Sequence, residues 1–417
     1  MRKLKIILGL SFVLSFSAQA IETLDNYTLE QVVVFSRHGL RAPLSSPTST
    51  LGKITPNQWP QWDTPASYLT TRGGVLESYF GHYFNEWLVD NKLLTENTCP
   101  SENEVYIYTN SLQRTIATGQ YFTVGAFPSC IVPIIHKEKL GTMDPVFFPV
   151  ISDDNPEFKQ AAITSINQTA HAKGIEGLNQ KLNNTYQDLS NIINYTQSTN
   201  CLADKQCDFT DLPTKIIIEK GKEPGITGPL RTGTSIADAF ILQYYEGAPL
   251  QDIAWGKIKN NKQFEQLVAI KEYYNTILFG SSVIAKQVAA NLINYINQTF
   301  SEKNHTKFTF LVGHDSNVAS LFSALKIKSY TLPDQFETTP IGGKIVFQKW
   351  RDNHSGEALM KIEYFYQSTN QIRNLTQLNR NNPPYKVTLA MENYPTNTMV
   401  FCSFSTFKQI IGNINNV

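Results

Sequence analysis

The sequence predicts an α/β fold, a sheet flanked by helices, with a smaller and mainly α-helical domain inserted into it. Three observations carry this expectation. The runs Val32-Val33-Val34-Phe35 and Phe308-Thr309-Phe310-Leu311-Val312 are apolar and rich in β-branched or aromatic residues, as buried strands are. Each gives way to a polar turn holding a histidine and then to a helical pattern. Between them, from about Asp153 to Leu278, helical spacing recurs without alternating strands, and beyond them Lys344 to Gln367 alternates like a hairpin. The expected division is a leader at 1–20, an α/β domain from 21–148 and 280–417, and a helical insert at 149–279.

The chain opens with Arg2, Lys3 and Lys5, an apolar run from Ile6 to Phe16, and the small residues Ala18-Gln19-Ala20. That is the pattern of a secretory signal peptide cleaved after Ala20, and the run falls short of the roughly 20 apolar residues a membrane span needs. Without the leader, 33 basic residues face 35 acidic ones. A chain so close to neutral has no global attraction to nucleic acid or anionic membranes, so any anion chemistry must come from a focused pocket.

The first strand ends in Ser36-Arg37-His38-Gly39-Leu40-Arg41-Ala42-Pro43, a polar cluster that breaks at Gly and Pro. Guanidinium forks match phosphate oxygens bidentately, and imidazole is both nucleophile and proton carrier. Pro- and Trp-rich residues then make a loop over 55–65. A helix is expected through Leu76, Phe80, Tyr83, Phe84, Trp87 and Leu88, capped by Thr70 or Thr71. A second strand runs from Glu104 to Tyr108. Thr109-Asn110-Ser111 follows as a helix start, with Arg114 in the first turn, where a cation opposes the helix dipole. That mismatch marks Arg114 as a candidate phosphate ligand. Later come helices at Ser235–Tyr245 (closed by Glu246-Gly247), Phe264–Leu278 and Ser282–Ile296, the strand at Phe308, and a helix from Val318 behind Gly313-His314-Asp315.

In open α/β sheets ligands bind outside the carboxyl ends of the strands. Arg37, His38 and Arg41 mark one such end, Arg114 a second, and His314 with Asp315 a third. These groups suffice for phosphate-ester chemistry without a metal or cofactor: guanidiniums to hold the equatorial oxygens, an imidazole to accept the phosphoryl group, and Asp315 to protonate the leaving oxygen. No Cys or His sits at a metal-ligand spacing. Glu246 is a candidate carboxylate at the pocket mouth, where it would repel highly phosphorylated substrates. Of the five cysteines, the short Cys201–Cys207 spacing suggests a local bridge, Cys99 can pair with Cys130, and Cys402 has no obvious partner.

The motifs Arg37-His38-Gly39-Leu40-Arg41-Ala42-Pro43 and His314-Asp315 resemble those of the histidine acid phosphatases. The resemblance is closer still to the bacterial periplasmic glucose-1-phosphatase branch, through Pro56-Asn57-Gln58-Trp59-Pro60, Asn110-Ser111-Leu112-Gln113-Arg114-Thr115, Gly141-Thr142-Met143-Asp144-Pro145, Gln243-Tyr244-Tyr245-Glu246-Gly247 and Thr339-Pro340-Ile341-Gly342-Gly343-Lys344. It implies a phosphoglycerate-mutase-like domain with a central mixed sheet and a smaller helical domain. It makes His38 the nucleophile, Asp315 the proton donor, and Arg37, Arg41, Arg114 and His314 the phosphate pocket. A small phosphate monoester, a periplasmic location and a possible homodimer go with it. Two departures stand out. The glucose-1-phosphatase branch has Asn after the catalytic His, so Gly39 is expected to free space beside the nucleophile, and the family's partner for Cys402, near Tyr394, is missing.

The leading function is therefore an exported acid phosphatase acting on sugar phosphates such as glucose 1-phosphate. The alternatives are a phytase or broad acid phosphatase on the same machinery, a mutase-type transferase, and outside enzymes a phosphosugar-binding protein. Asn-X-Ser/Thr sites such as Asn167 and Asn297 would suit a glycosylated secreted enzyme, but in an Asn-rich chain they arise by chance.

Overall fold

A computed structural model describes residues 24–301, 306–392, 394–397 and 399–414. The leader and its cleavage point lie outside the described residues. The first strand, β1 (Tyr27–Arg37), extends well beyond the apolar run on its N-terminal side. A one-turn helix α1 (Thr50–Lys53) then precedes α2 (Thr71–Asp90), whose N-cap Thr70 accepts from the Gly73 amide. Strand β2 (Val105–Thr109) leads into α3 (Gln113–Ala126) and the short edge strand β3 (Ile134–Ile135).

Helices α4 (Pro156–Ala170), α5 (Gly174–Ile192) and α6 (Thr199–Asp204) follow, then the two-residue strands β4 (Ile216–Ile217) and β5 (Gly225–Ile226), which pair only with each other. Next come α7 (Pro229–Tyr245), α8 (Asn261–Leu278) and α9 (Ser282–Thr299). Helix α7 starts six residues earlier than the sequence suggests, because Pro229 at its first turn needs no amide partner. The chain returns to the sheet as β6 (Phe308–Gly313), α10 (Asp315–Ala324), and the hairpin β7 (Lys344–Asp352) and β8 (Ala358–Tyr366). It ends with α11 (Thr369–Arg373), β9 (Tyr385–Thr388), β10 (Cys402–Ser403) and α12 (Phe404–Ile414).

The sheet is mixed and eight-stranded among the described residues, in the order β10-β8-β7-β1-β6-β2-β3, with β9 also on β8. Strands β1, β6, β2 and β3 are parallel, β7 is antiparallel to β1, and β8 is antiparallel to β7. Apolar side chains alternate to the two faces. Val33, Phe35 and Leu311 pack under α9, α10 and α12, whereas Val32, Val34 and Phe310 pack under α2 and α3. A third core, around Leu178, Tyr186, Phe240, Leu267 and Ile270, belongs to the helices between β3 and β6 and also takes in Leu40, Leu51 and Ile341. Cys99–Cys130 and Cys201–Cys207 are bonded, and Cys402 is free and buried.

A buried ion pair supports the β1 exit from behind. Lys344 Nζ donates to Glu77 Oε2 (2.9 Å), to the Gly342 carbonyl (2.8 Å) and to Ser36 Oγ (3.2 Å), and neither charged side chain is more than 2% exposed. Gly39 faces this pair and is absent from the cavity described below. A Cβ on Gly39 would lie 2.9 Å from Glu77 Cγ and 3.1 Å from Leu69 Cδ1. The expectation that Gly39 widens the substrate space is thus corrected: its missing side chain makes room for Glu77. Because Lys344 pins Glu77, the neighbour cannot step aside. Gly39→Ala should lower the unfolding free energy by about 1–3 kcal/mol, the usual cost of overpacking, as measured by denaturant melts.

Candidate active site

Residue Arg37 of β1 lies level with Gly313 of β6 in the parallel register, so the polar turns after the two strands leave the sheet side by side. The His38 amide donates to the Gly313 carbonyl (3.0 Å), and the His38 and His314 rings meet edge to face with centroids 5.5 Å apart. Strand β2 ends next to them, and α3 carries Arg114 to the same place. The sheet thereby brings Arg37, His38, Arg41, Arg114, His314 and Asp315 together. Among them His38, Arg41, Arg114, His314 and Asp315 line a cavity of about 530 Å³ between the sheet's carboxyl edge and helices α7 and α8.

Hydrogen bonds fix the protons of both imidazoles. His38 Nδ1 is 2.9 Å from the Gly39 carbonyl, which can only accept. The proton is therefore on Nδ1 and the Nε2 lone pair is free. Asn110 Oδ1 accepts from the amides of Ser111 and Asp144, so its Nδ2 must be the atom that donates to His314 Nε2 at 2.7 Å. A neutral His314 then carries its proton on Nδ1 as a donor. Burial, followed by the Arg114 charge, pushes both histidines well below the usual range, so both stay neutral in acid.

Arg37 is buried. It contacts Glu337 Oε1 (3.2 Å), the Thr339 carbonyl and Asp315 Oδ2 (3.4 Å). Arg41 pairs with Asp238 of α7 at 2.8 Å. Arg114 donates to Ser67 Oγ, and burial followed by repulsion from Arg41 lowers it to about 9. The Nε atoms of Arg37 and Arg114 are buried and have no hydrogen-bond partner among the described residues. Arg114 lines the cavity, and an orphaned guanidinium donor there suits an anion. Asp315 opens α10, where a carboxylate favours the helix dipole, and its Oδ1 accepts from the Ser316 amide at 3.0 Å. Burial opposes its ionisation, but Arg37 and then Lys271 outweigh that and hold the carboxyl far below the ordinary range.

The Thr109-Asn110-Ser111 stretch does not cap α3, whose N-cap Leu112 makes no side-chain bond. Its Asn is spent on His314 and its Ser Oγ on the Glu138 amide. Glu246 is likewise displaced from its expected place. It caps the end of α7, accepts from Thr70 Oγ1 at 3.0 Å, and is not among the residues lining the cavity. The carboxylate at the rim is Glu223, exposed on the segment entering β5, and partial desolvation beside the cavity raises its pKa.

Three other site residues escaped sequence reasoning: Asp238, Lys271 and Glu337. Two of them carried a usable signal. Arg231, Thr234, Ser235 and Asp238 form one i, i+3, i+4, i+7 polar stripe on α7, and Lys271 interrupts the apolar stripe of Phe264, Leu267, Val268, Tyr274 and Leu278 on α8. Glu337 lies in irregular chain and carries no such pattern. No group of three His, Cys, Asp or Glu placed to hold a metal occurs among the described residues.

The chain is similar to known proteins along most of its length. The chain is 45% identical over 401 residues to a glucose-1-phosphatase of Salmonella typhimurium, covering 96% of this chain and 95% of the relative. It is 45% identical over 387 residues to a glucose-1-phosphatase of Providencia rettgeri, at 92% and 91% coverage. The structure of Hafnia alvei phytase in complex with tartrate superposes with a TM-score of 0.83 at 29% identity, covering 93% of this chain and 97% of that one. Residues 28–367 match the histidine phosphatase superfamily (branch 2). The chain belongs to that family and is a histidine acid phosphatase, a phosphoric monoester hydrolase.

Proposed function

We propose that this enzyme hydrolyses small sugar phosphates such as glucose 1-phosphate through a phosphohistidine on His38. The observation that carries the proposal is the free Nε2 of His38, held by the Gly39 carbonyl among three guanidiniums and opposite Asp315. Arg37, Arg41, Arg114 and the Nδ1 proton of His314 bind the equatorial oxygens of the phosphoryl group and stabilise the charge that spreads over them in flight. His38 Nε2 forms the bond to phosphorus as the ester P–O bond breaks, and Asp315 gives its proton to the departing sugar oxygen. Water then attacks the phosphohistidine, and the Asp315 carboxylate takes up its proton. Phosphate leaves and the site is restored.

Size and charge favour a compact monoester. The cavity suits a sugar-sized ligand, and Glu223 at its rim repels additional phosphates. A phytase activity on the same site is the alternative, and the 29% identical Hafnia alvei phytase is what favours it. Export to a periplasm is part of the proposal and rests on the leader sequence. No single helix among the described residues is long and apolar enough to cross a membrane.

Three outcomes test this reading. His38→Ala should lose turnover by on the order of 10³-fold or more, and quenching into base should trap substrate-derived phosphate on the wild type alone. The pH profile should peak in acid. Neutral His38 is retained as pH falls because its pKa is lowered, while the protonated Asp315 that a bound phosphate dianion favours is lost as pH rises; a maximum above about pH 8 would count against it. Glu223→Gln should raise phytate turnover relative to glucose 1-phosphate. An unchanged ratio would remove Glu223 from the selection of substrates.

A further inference from the structure

We propose that Lys271 is a positioning residue for the proton-transfer step, an ammonium that α8 delivers to the back of Asp315 so that this carboxylate can serve a poor leaving group such as a sugar hydroxyl. The inference rests on the reading of Asp315 as proton donor.

The side chain of Lys271 is only 3% exposed, yet it lies in the cavity wall. Its Nζ is 2.7 Å from Glu337 Oε1, 3.1 Å from Asp238 Oδ1 and 3.6 Å from Asp315 Oδ2. A lysine on the core stripe of a helix costs several kcal/mol unless its charge is used, and three carboxylates have been gathered round this one. It hydrogen-bonds to Glu337. At 3.6 Å it acts on Asp315 by charge without occupying the oxygen that must carry the proton. Arg37 contacts the same Oδ2 at 3.4 Å, but its planar fork is committed to Glu337 and the Thr339 carbonyl as well. Of the two cations, Lys271 is the one that lines the cavity.

The chemistry balances on this chain's own groups. As the P–N bond to His38 forms and the P–O bond breaks, the Asp315 proton moves to the sugar oxygen and leaves a carboxylate between Arg37 and Lys271. The ammonium stabilises that product, which makes Asp315 a stronger acid. In the second half-reaction the same carboxylate takes a proton from water. The groups facing Asp315 are Arg37 and His38 from the β1 exit, His314 beside it, Lys271 from α8, and more distantly Asp238 of α7, Arg114 of α3 and Glu223 at the rim. Of the two cations in ion-pair contact with Asp315, Lys271 is the one with no role toward the phosphate in this mechanism.

The sign follows. Removing a cation makes the carboxyl hold its proton to higher pH and give it up less readily. In Lys271→Gln the alkaline limb of kcat should therefore move up by about one to three pH units, the effect of an opposite charge within about 4–6 Å. Turnover of glucose 1-phosphate should fall about tenfold or more relative to 4-nitrophenyl phosphate, whose leaving group needs little help from an acid. Lys271→Arg should restore both the limb and the ratio. If Lys271→Gln does not fold, the charge-balanced pair Lys271→Gln/Asp238→Asn is compared with Asp238→Asn, and the limb should again lie higher in the variant without the lysine. A limb and a leaving-group ratio that stay at their reference values in these comparisons overturn the role of Lys271. Asp315→Asn separates the two ideas: if it keeps the glucose 1-phosphate rate and the wild-type alkaline limb, the reading of Asp315 as donor fails first.

Discussion

The buried charge of Arg37 is the constraint on which the site depends. A guanidinium 1% exposed at the end of a central strand is tolerated only if its charge is met within the protein. Glu337, itself fully buried, the Thr339 carbonyl and Asp315 meet it. One side chain thus ties the exit of β1 to the segment before β7 and to the first turn of α10. The two turns that carry the histidines cannot drift apart without leaving this charge uncompensated.

The same need for compensation organises what surrounds it. Arg41 is answered by Asp238, and Lys271 by Asp238 and Glu337. Opposed cations and carboxylates at fixed distances preorganise the cleft, so a phosphate dianion arrives at donors already in place. Behind the nucleophile, the Glu77–Lys344 pair plays a structural counterpart. It joins α2 to β7 under Gly39 and is screened from solvent by Phe80, whose ring lies 4.1 Å from Lys344 Nζ. Polar groups buried on both sides of one short turn leave His38 little conformational freedom.

Much of this was legible one residue at a time. The apolar runs marked β1 and β6, and the periodicity marked α2, α8 and α9, because burial of one face imposes a repeat on the sequence. The histidine turns were legible because a polar cluster at a strand exit has few structural uses. Asn110 and Ser111 take roles other than the helix cap their position suggests, because only a partner distant in sequence reveals the role: His314 for Asn110 and the Glu138 amide for Ser111. Glu246 does close α7 as its place before Gly247 suggests, and its bond from Thr70 is what only the folded chain shows. Gly39 was misjudged in the same way, since the direction in which a missing side chain makes room is set by what α2 packs there.

By itself the sequence determined the chemistry on offer: an arginine-flanked histidine, a histidine–aspartate pair, a lone arginine in a helix's first turn, and the strands and helices that carry them. These follow from local rules of periodicity, capping and side-chain type. Only the tertiary structure decided the proton on each imidazole, the identity of the rim carboxylate as Glu223, and the ring of Asp238, Lys271 and Glu337 around the acid. The physical reason is that charge and hydrogen bonding act over a few ångströms in space, and the fold brings residues within that reach from positions such as Ser36 and Lys344, 308 apart in the chain.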